Sequence, residues 1–147
     1  MRNLHNRGVI EELTTDEIDS FLREQKVARI GCHAAGETYV VPVIYAWDGE
    51  GAYVFSIEGR KIRMMRENPR VCLEVDEYLP GGSWRSVIVD GVYEELDGEG
   101  AERARELLVE RLGGRRPSAA EGGGSEAPTP VAFRIRSVEA TGRRVSR

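Results

Sequence analysis

The stretch Tyr53–Asp76, YVFSIEGRKIRMMRENPRVCLEVD, constrains the fold more than any other part of the chain. It reads as strand, tight turn, one short helix and strand. Asn68-Pro69 stops the helix, because the residue before a proline is pushed out of the α region. Beyond the stop, Val71, Leu73 and Val75 alternate with Cys72 and Glu74, the period of a strand with one buried face. Gly59 precedes Arg60 and Lys61, which open the helix predicted over Lys61–Glu67. A helix start exposes unpaired N–H groups and the positive end of the macrodipole. Two cations placed there form a seat for a phosphate, to which Ser56 can add a hydroxyl. The same residues also read as a solvated Arg-Lys pair on an exposed helix.

The rest of the chain is mostly strand. Met1–Ile10 reads as a loose arm. Thr14 followed by Glu17 is a capping-box pattern, and Ile18, Phe21 and Leu22 share one face, so Thr15–Gln25 is predicted helical. Val27–His33 alternates, Ala34–Glu37 is a turn, and Thr38–Trp47 is β-branched and aromatic. Pro42 inside that run cannot donate to a ladder, so the strand is expected to bulge or to expose an edge there. Asp48–Gly51 is a hairpin turn and Ala52–Ser56 the next strand, giving a three-strand meander before the helix. Trp84–Leu96 is a long strand bent at Gly91, and Gly98–Leu112 is an amphipathic helix. Gly113–Pro130 is low in complexity and expected to be a flexible loop. Val131–Val138 resumes the alternation. The chain is therefore expected to be one mainly β domain, a small barrel of six or seven antiparallel strands with short helices.

Composition narrows the function. With 147 residues and a net charge of −4, the chain can bury a real core but lacks the positive charge of a protein gripping nucleic-acid phosphates. No apolar run approaches a membrane span, and the first residues lack an export signal. Cys32 and Cys72 both sit in apolar runs, the usage of a reducing cytoplasm. Two Cys and two His without paired spacing do not make a zinc site. Nor is there a catalytic triad, a spaced carboxylate pair or a dinucleotide glycine motif. Any chemistry must then come from a cofactor that the protein holds. A phosphate seat, the Pro42 edge and Trp84 for stacking suit a flat, phosphorylated one.

The segments TYVVPVIYAWD, GRKIRMMRENPRV and WRSVIVDG, in this order and with ARIGC before them, resemble the flavin-binding split-barrel family. That family includes pyridoxamine 5'-phosphate oxidases, and the likeness is strongest to its 5-nitroimidazole-resistance (Nim) branch. The resemblance implies an FMN-binding split barrel. Arg60 and Lys61 match the phosphate-binding pair, and Phe55 and Ser56 the strand end beside the phosphate and ribityl chain. Val41, Pro42 and Val43 match the strand whose backbone faces the flavin ring. Ser86 falls at a ring-contacting position, with Trp84 and Arg85 beside it. Residue by residue, the alternatives are core packing for Trp84 and a surface ion pair with Glu94 or Glu95 for Arg85.

The resemblance also implies a cytoplasmic homodimer with FMN between the subunits, so that Trp84 or Arg85 serves the partner's flavin. The oxidases' C-terminal tryptophan and arginine segment is absent, which argues against pyridoxamine phosphate as substrate. The implied activity is a flavin-dependent reduction of a small acceptor such as a nitro compound, a quinone or oxygen. A non-catalytic flavin or haem sensor, and a deazaflavin user on the same fold, are the alternatives.

Overall fold

The computed structural model describes residues 8–114 and 129–147. Thr14 caps the first helix, α1 (Thr15–Glu24), in a reciprocal box: its hydroxyl accepts from the Glu17 N–H, and its own N–H donates to the Glu17 carboxylate. Phe21 and Leu22 on the inner face of α1 are wholly buried. Ahead of it, β1 (Ile10–Glu12) pairs with the end of the chain, so Ile10 is not part of a loose arm. Residues 1–7 of that arm lie outside the described residues.

The remaining elements are β2 (Val27–Ala34), β3 (Glu37–Ile44), β4 (Ala46–Trp47), β5 (Gly51–Ile57), α2 (Arg60–Glu67), β6 (Arg70–Tyr78), β7 (Trp84–Leu96), α3 (Gly98–Arg111) and β8 (Pro130–Val145). They form one antiparallel sheet in the order β3-β2-β6-β7-β8-β5-β4, with β1 added to β8. The strand count rises to eight because β1 and β4 are pieces of three and two residues. β8 is twice the expected length, running on from Val138 to Val145 along the whole of β7. Most of the Gly113–Pro130 loop lies outside the described residues.

The expected meander is broken at Tyr45. β3 and β4 follow one another in the chain but stand at opposite ends of the strand order. Tyr45 turns inward instead of pairing. It is fully buried, and its hydroxyl donates to the Leu22 carbonyl at 2.6 Å, which anchors α1 over the corner. The outer edge of β3 approaches β5, so the sheet curls into a barrel that is split between these two strands. At Gly91 the β7–β8 ladder slips: Asp90 faces Glu139 while Gly91 faces Ser137, leaving Val138 as an extra residue. A Cβ on Gly91 would stand 2.7 Å from the Arg136 carbonyl oxygen, so only glycine lets the strands close here. The inward residues of every long strand, Ile30, Leu73, Val75, Val87, Val89, Phe133 and Ile135 among them, make one core with α1 and α2.

Candidate functional site

Helix α2 differs from α1 in how its start is satisfied. Its N-cap is Gly59, in extended backbone, with no side chain bonded to the first turn and no acidic residue in that turn. What stands there instead is Arg60 and Lys61. Cations at a helix start oppose the macrodipole and cost rather than add stability. Uncapped N–H groups and two positive side chains together make a concentration of donors, of which only Arg60 finds an acidic partner among the described residues.

The two cations are placed differently. Arg60 is exposed, donates to the Glu37 carboxylate at 3.1 Å, and lies 4.4 Å over the centre of the Tyr39 ring. Lys61 is half-buried and forms no ion pair or hydrogen bond within the described residues. Burial alone lowers its pKa. Ser56, near the end of β5, is the one buried polar residue of the described chain, 8% exposed. The charge of Arg60 also reaches Cys32, where it opposes the upward shift that burial gives the thiol.

β3 supplies the neighbouring wall. Val41 and Val43 turn inward, paired with Ile30 and Ala28, while Pro42, opposite Arg29, is exposed. The proline does sit on an edge strand, where its missing N–H leaves no ladder bond unmade. Phe55 points the other way from Ser56. Its ring packs under α3 and beneath Arg105, at 5.0 Å, so only its backbone borders this corner.

Trp84, Arg85 and Ser86 lie elsewhere. Arg60 is tied to Glu37 at the β2–β3 turn, whereas Trp84 is paired with Tyr78 at the far end of β6. The eight steps from Arg70 to Tyr78 span roughly 26 Å at the usual rise of a strand. Within one chain Arg60 therefore meets Glu37 and Tyr39 at the start of β3, with Lys61 beside it and Ser56 near the end of the preceding strand; Val41, Pro42 and Val43 lie further along β3, and Trp84, Arg85 and Ser86 stand apart. Arg85 pairs with Glu77 at 2.6 Å and Glu24 at 3.4 Å, not with Glu94 or Glu95. The register explains this: Glu77 is directly across the ladder, while Glu94 and Glu95 lie further along Arg85's own strand. Arg85 also covers Phe21, 4.6 Å from its centroid, and the Trp84 ring meets Tyr78 at 6.5 Å.

The partners that the two ends of α2 find carry no sequence signal of their own. Glu37 and Tyr39 meet Arg60 only because the β2–β3 turn folds them over α2. Arg66 binds Glu58 and Glu95 together, across a turn and from a distant strand. Away from this corner, a groove of about 430 Å³ crosses the outer face of the sheet between Gly31, His33, Val40, Cys72 and Val138.

The described chain is thus a split antiparallel barrel with an uncapped, cationic helix start. The pyridoxamine 5'-phosphate oxidase family model matches residues 14–144, and the chain belongs to that family. A FAD-binding protein of Mesorhizobium loti is 36% identical and superposes with a TM-score of 0.78, over 95% of this chain and 99% of that one. A candidate 5-nitroimidazole antibiotic resistance protein of Bacteroides thetaiotaomicron shares the fold, with a TM-score of 0.73 over 92% and 89% of the chains at 18% identity. An uncharacterized protein of Rhizobium meliloti (strain 1021) is 36% identical over 87 residues, 59% of this chain and 58% of that protein. No helix among the described residues is long and apolar enough to cross a membrane.

Proposed function

We propose that this chain binds FMN, with the phosphate at the start of α2, and acts as a flavin-dependent oxidoreductase of a small acceptor such as a nitro compound, a quinone or oxygen. The observation that carries the reading is Lys61, a half-buried cation without a partner among the described residues, at a helix start without a side-chain cap. A phosphate dianion would accept from the free N–H groups, from Lys61 and from Arg60, and would offset the positive charge gathered at the helix start. Ser56 would add a hydroxyl. The β3 edge at Val41–Val43 would border the ring, and Pro42 keeps that edge from recruiting another strand. Bound flavin would supply hydride and electron transfer; the protein's part is to seat and shield it.

The reading includes a homodimer acting in the cytoplasm. Its support is twofold. The expected ring-side residues Trp84, Arg85 and Ser86 stand too far from Arg60 to meet one ligand within a chain. The outward face of β2, β3, β7 and β8 also exposes Val27, Val40, Ile44, Ile88 and Val138, an apolar surface of the kind that pairs. Two chains packed face to face would bring one chain's helix start toward the other's β7. The likeness to a FAD-binding protein supports a second reading, in which the tail is a dinucleotide held by the same cations.

Adding FMN to the purified protein should quench its fluorescence and sharpen its absorbance near the flavin bands. Arg60→Ala with Lys61→Ala should abolish retention and leave the circular dichroism unchanged. Unaltered affinity in that variant would refute the seat. The mass of the ligand extracted from the protein as isolated separates FMN, FAD, deazaflavin and haem.

A further inference from the structure

Arg66 closes the last turn of α2 with two paired contacts. Its Nη1 and Nη2 donate to the two oxygens of Glu58 at 3.0 and 2.6 Å, and its Nε and Nη2 to those of Glu95 at 2.7 and 3.0 Å. Glu58 immediately precedes the Gly59 cap, and its own N–H donates to the Thr129 carbonyl. Glu95 stands on β7 and takes a further hydrogen bond from the Tyr93 hydroxyl at 2.7 Å. One guanidinium therefore joins both ends of the helix to a strand across the barrel. Fork-to-fork pairs fix direction as well as distance, which a single ammonium cannot do. The Glu95 carboxylate is held low in pKa by Arg66 first and by Tyr93 second, so the bracket stays charged through the neutral range.

The helix needs such a bracket. Its first turn carries two like charges and no cap, the arrangement that frays an eight-residue helix. Resting on the proposed phosphate seat, we infer that Arg66 is a positioning residue for it. Through Glu58 it holds the Glu58-Gly59 turn, so that the free N–H groups of the helix start are already aimed when the ligand arrives. It touches no ligand atom itself. Its influence falls on the phosphate and not on the ring, because the turn it holds borders only the helix start.

Riboflavin, which lacks the phosphate, makes the test. Affinities for FMN and riboflavin are measured by fluorescence quenching in the wild type, Arg66→Met, Arg66→Lys and Glu95→Gln. Arg66→Met should weaken FMN by about tenfold or more and riboflavin by under about twofold, the size expected when a support of a binding group is lost. Arg66→Lys, keeping charge without the fork, should fall between the two. Glu95→Gln, a milder change, should follow the same pattern if Arg66→Met fails to fold. Equal losses for FMN and riboflavin, or no loss, would overturn the positioning role while leaving the seat standing. A wild type that binds riboflavin as tightly as FMN would overturn the seat, and this inference with it.

Discussion

Replacing Lys61 by methionine should make the empty protein more stable and the flavin complex much weaker. The side chain is half-buried, has no partner within the described residues, and belongs to the first turn of α2, the positive end of the helix. Removing a cation from a helix start returns about 0.3–1 kcal/mol. Methionine keeps the length and packs well where the lysine stem lies. A net gain of about 1 kcal/mol would raise the melting temperature by roughly 2–4 °C for a domain of this size. Against that, a charge-assisted hydrogen bond to the phosphate contributes about 1.5–3 kcal/mol, or roughly 10- to 150-fold in affinity.

Titration gives a further check on the same variant. The folded pKa of Lys61 lies below the unfolded value, so folding penalises the protonated form. The penalty is complete below the folded pKa and disappears as pH climbs through the interval up to the unfolded value. The stability advantage of Lys61→Met should therefore be constant near neutrality and shrink in alkaline buffer. Differential scanning fluorimetry across that range, with flavin titrations beside it, reads every part of the prediction. A variant that melts lower than the wild type and still binds FMN as well would refute the argument.

Two more expectations concern single contacts. The Glu37 carboxylate occupies the Arg60 guanidinium that a phosphate would take, through an exposed ion pair of about 0–1 kcal/mol. Glu37→Gln should tighten FMN binding by up to about fivefold, most clearly at low salt; a weaker complex by quenching titration would show that Glu37 aids the seat instead. Gly91→Ala would drive a Cβ to 2.7 Å from the Arg136 carbonyl oxygen and 2.6 Å from the Ile135 side chain. The strands must move apart, at a cost of about 1–3 kcal/mol, visible as a lower urea midpoint; an unchanged midpoint would mean that the bulge yields easily.

The elements whose signals are local were legible in the chain. Thr14 and Glu17 are three residues apart, and their box formed as written; Asn68-Pro69 ended α2, and Trp84–Leu96 is a strand over its full expected length. The period of two in β2, β6 and the first half of β8 assigned their inner faces. The Arg60-Lys61 pair was found the same way, since glycine, helix start and cations are adjacent in sequence. What pairs with what was not legible. Tyr45 broke an apparent meander because its hydroxyl reaches the Leu22 carbonyl, a contact between distant residues. Glu37, Tyr39 and Glu95 joined the neighbourhood of α2 only when the sheet curled, and register alone put Arg85 opposite Glu77. Side-chain chemistry and short-range period are properties of the chain itself. The neighbours that complete a charge, and the separation of Trp84 from Arg60, depend on strand order, which only the closed barrel decides.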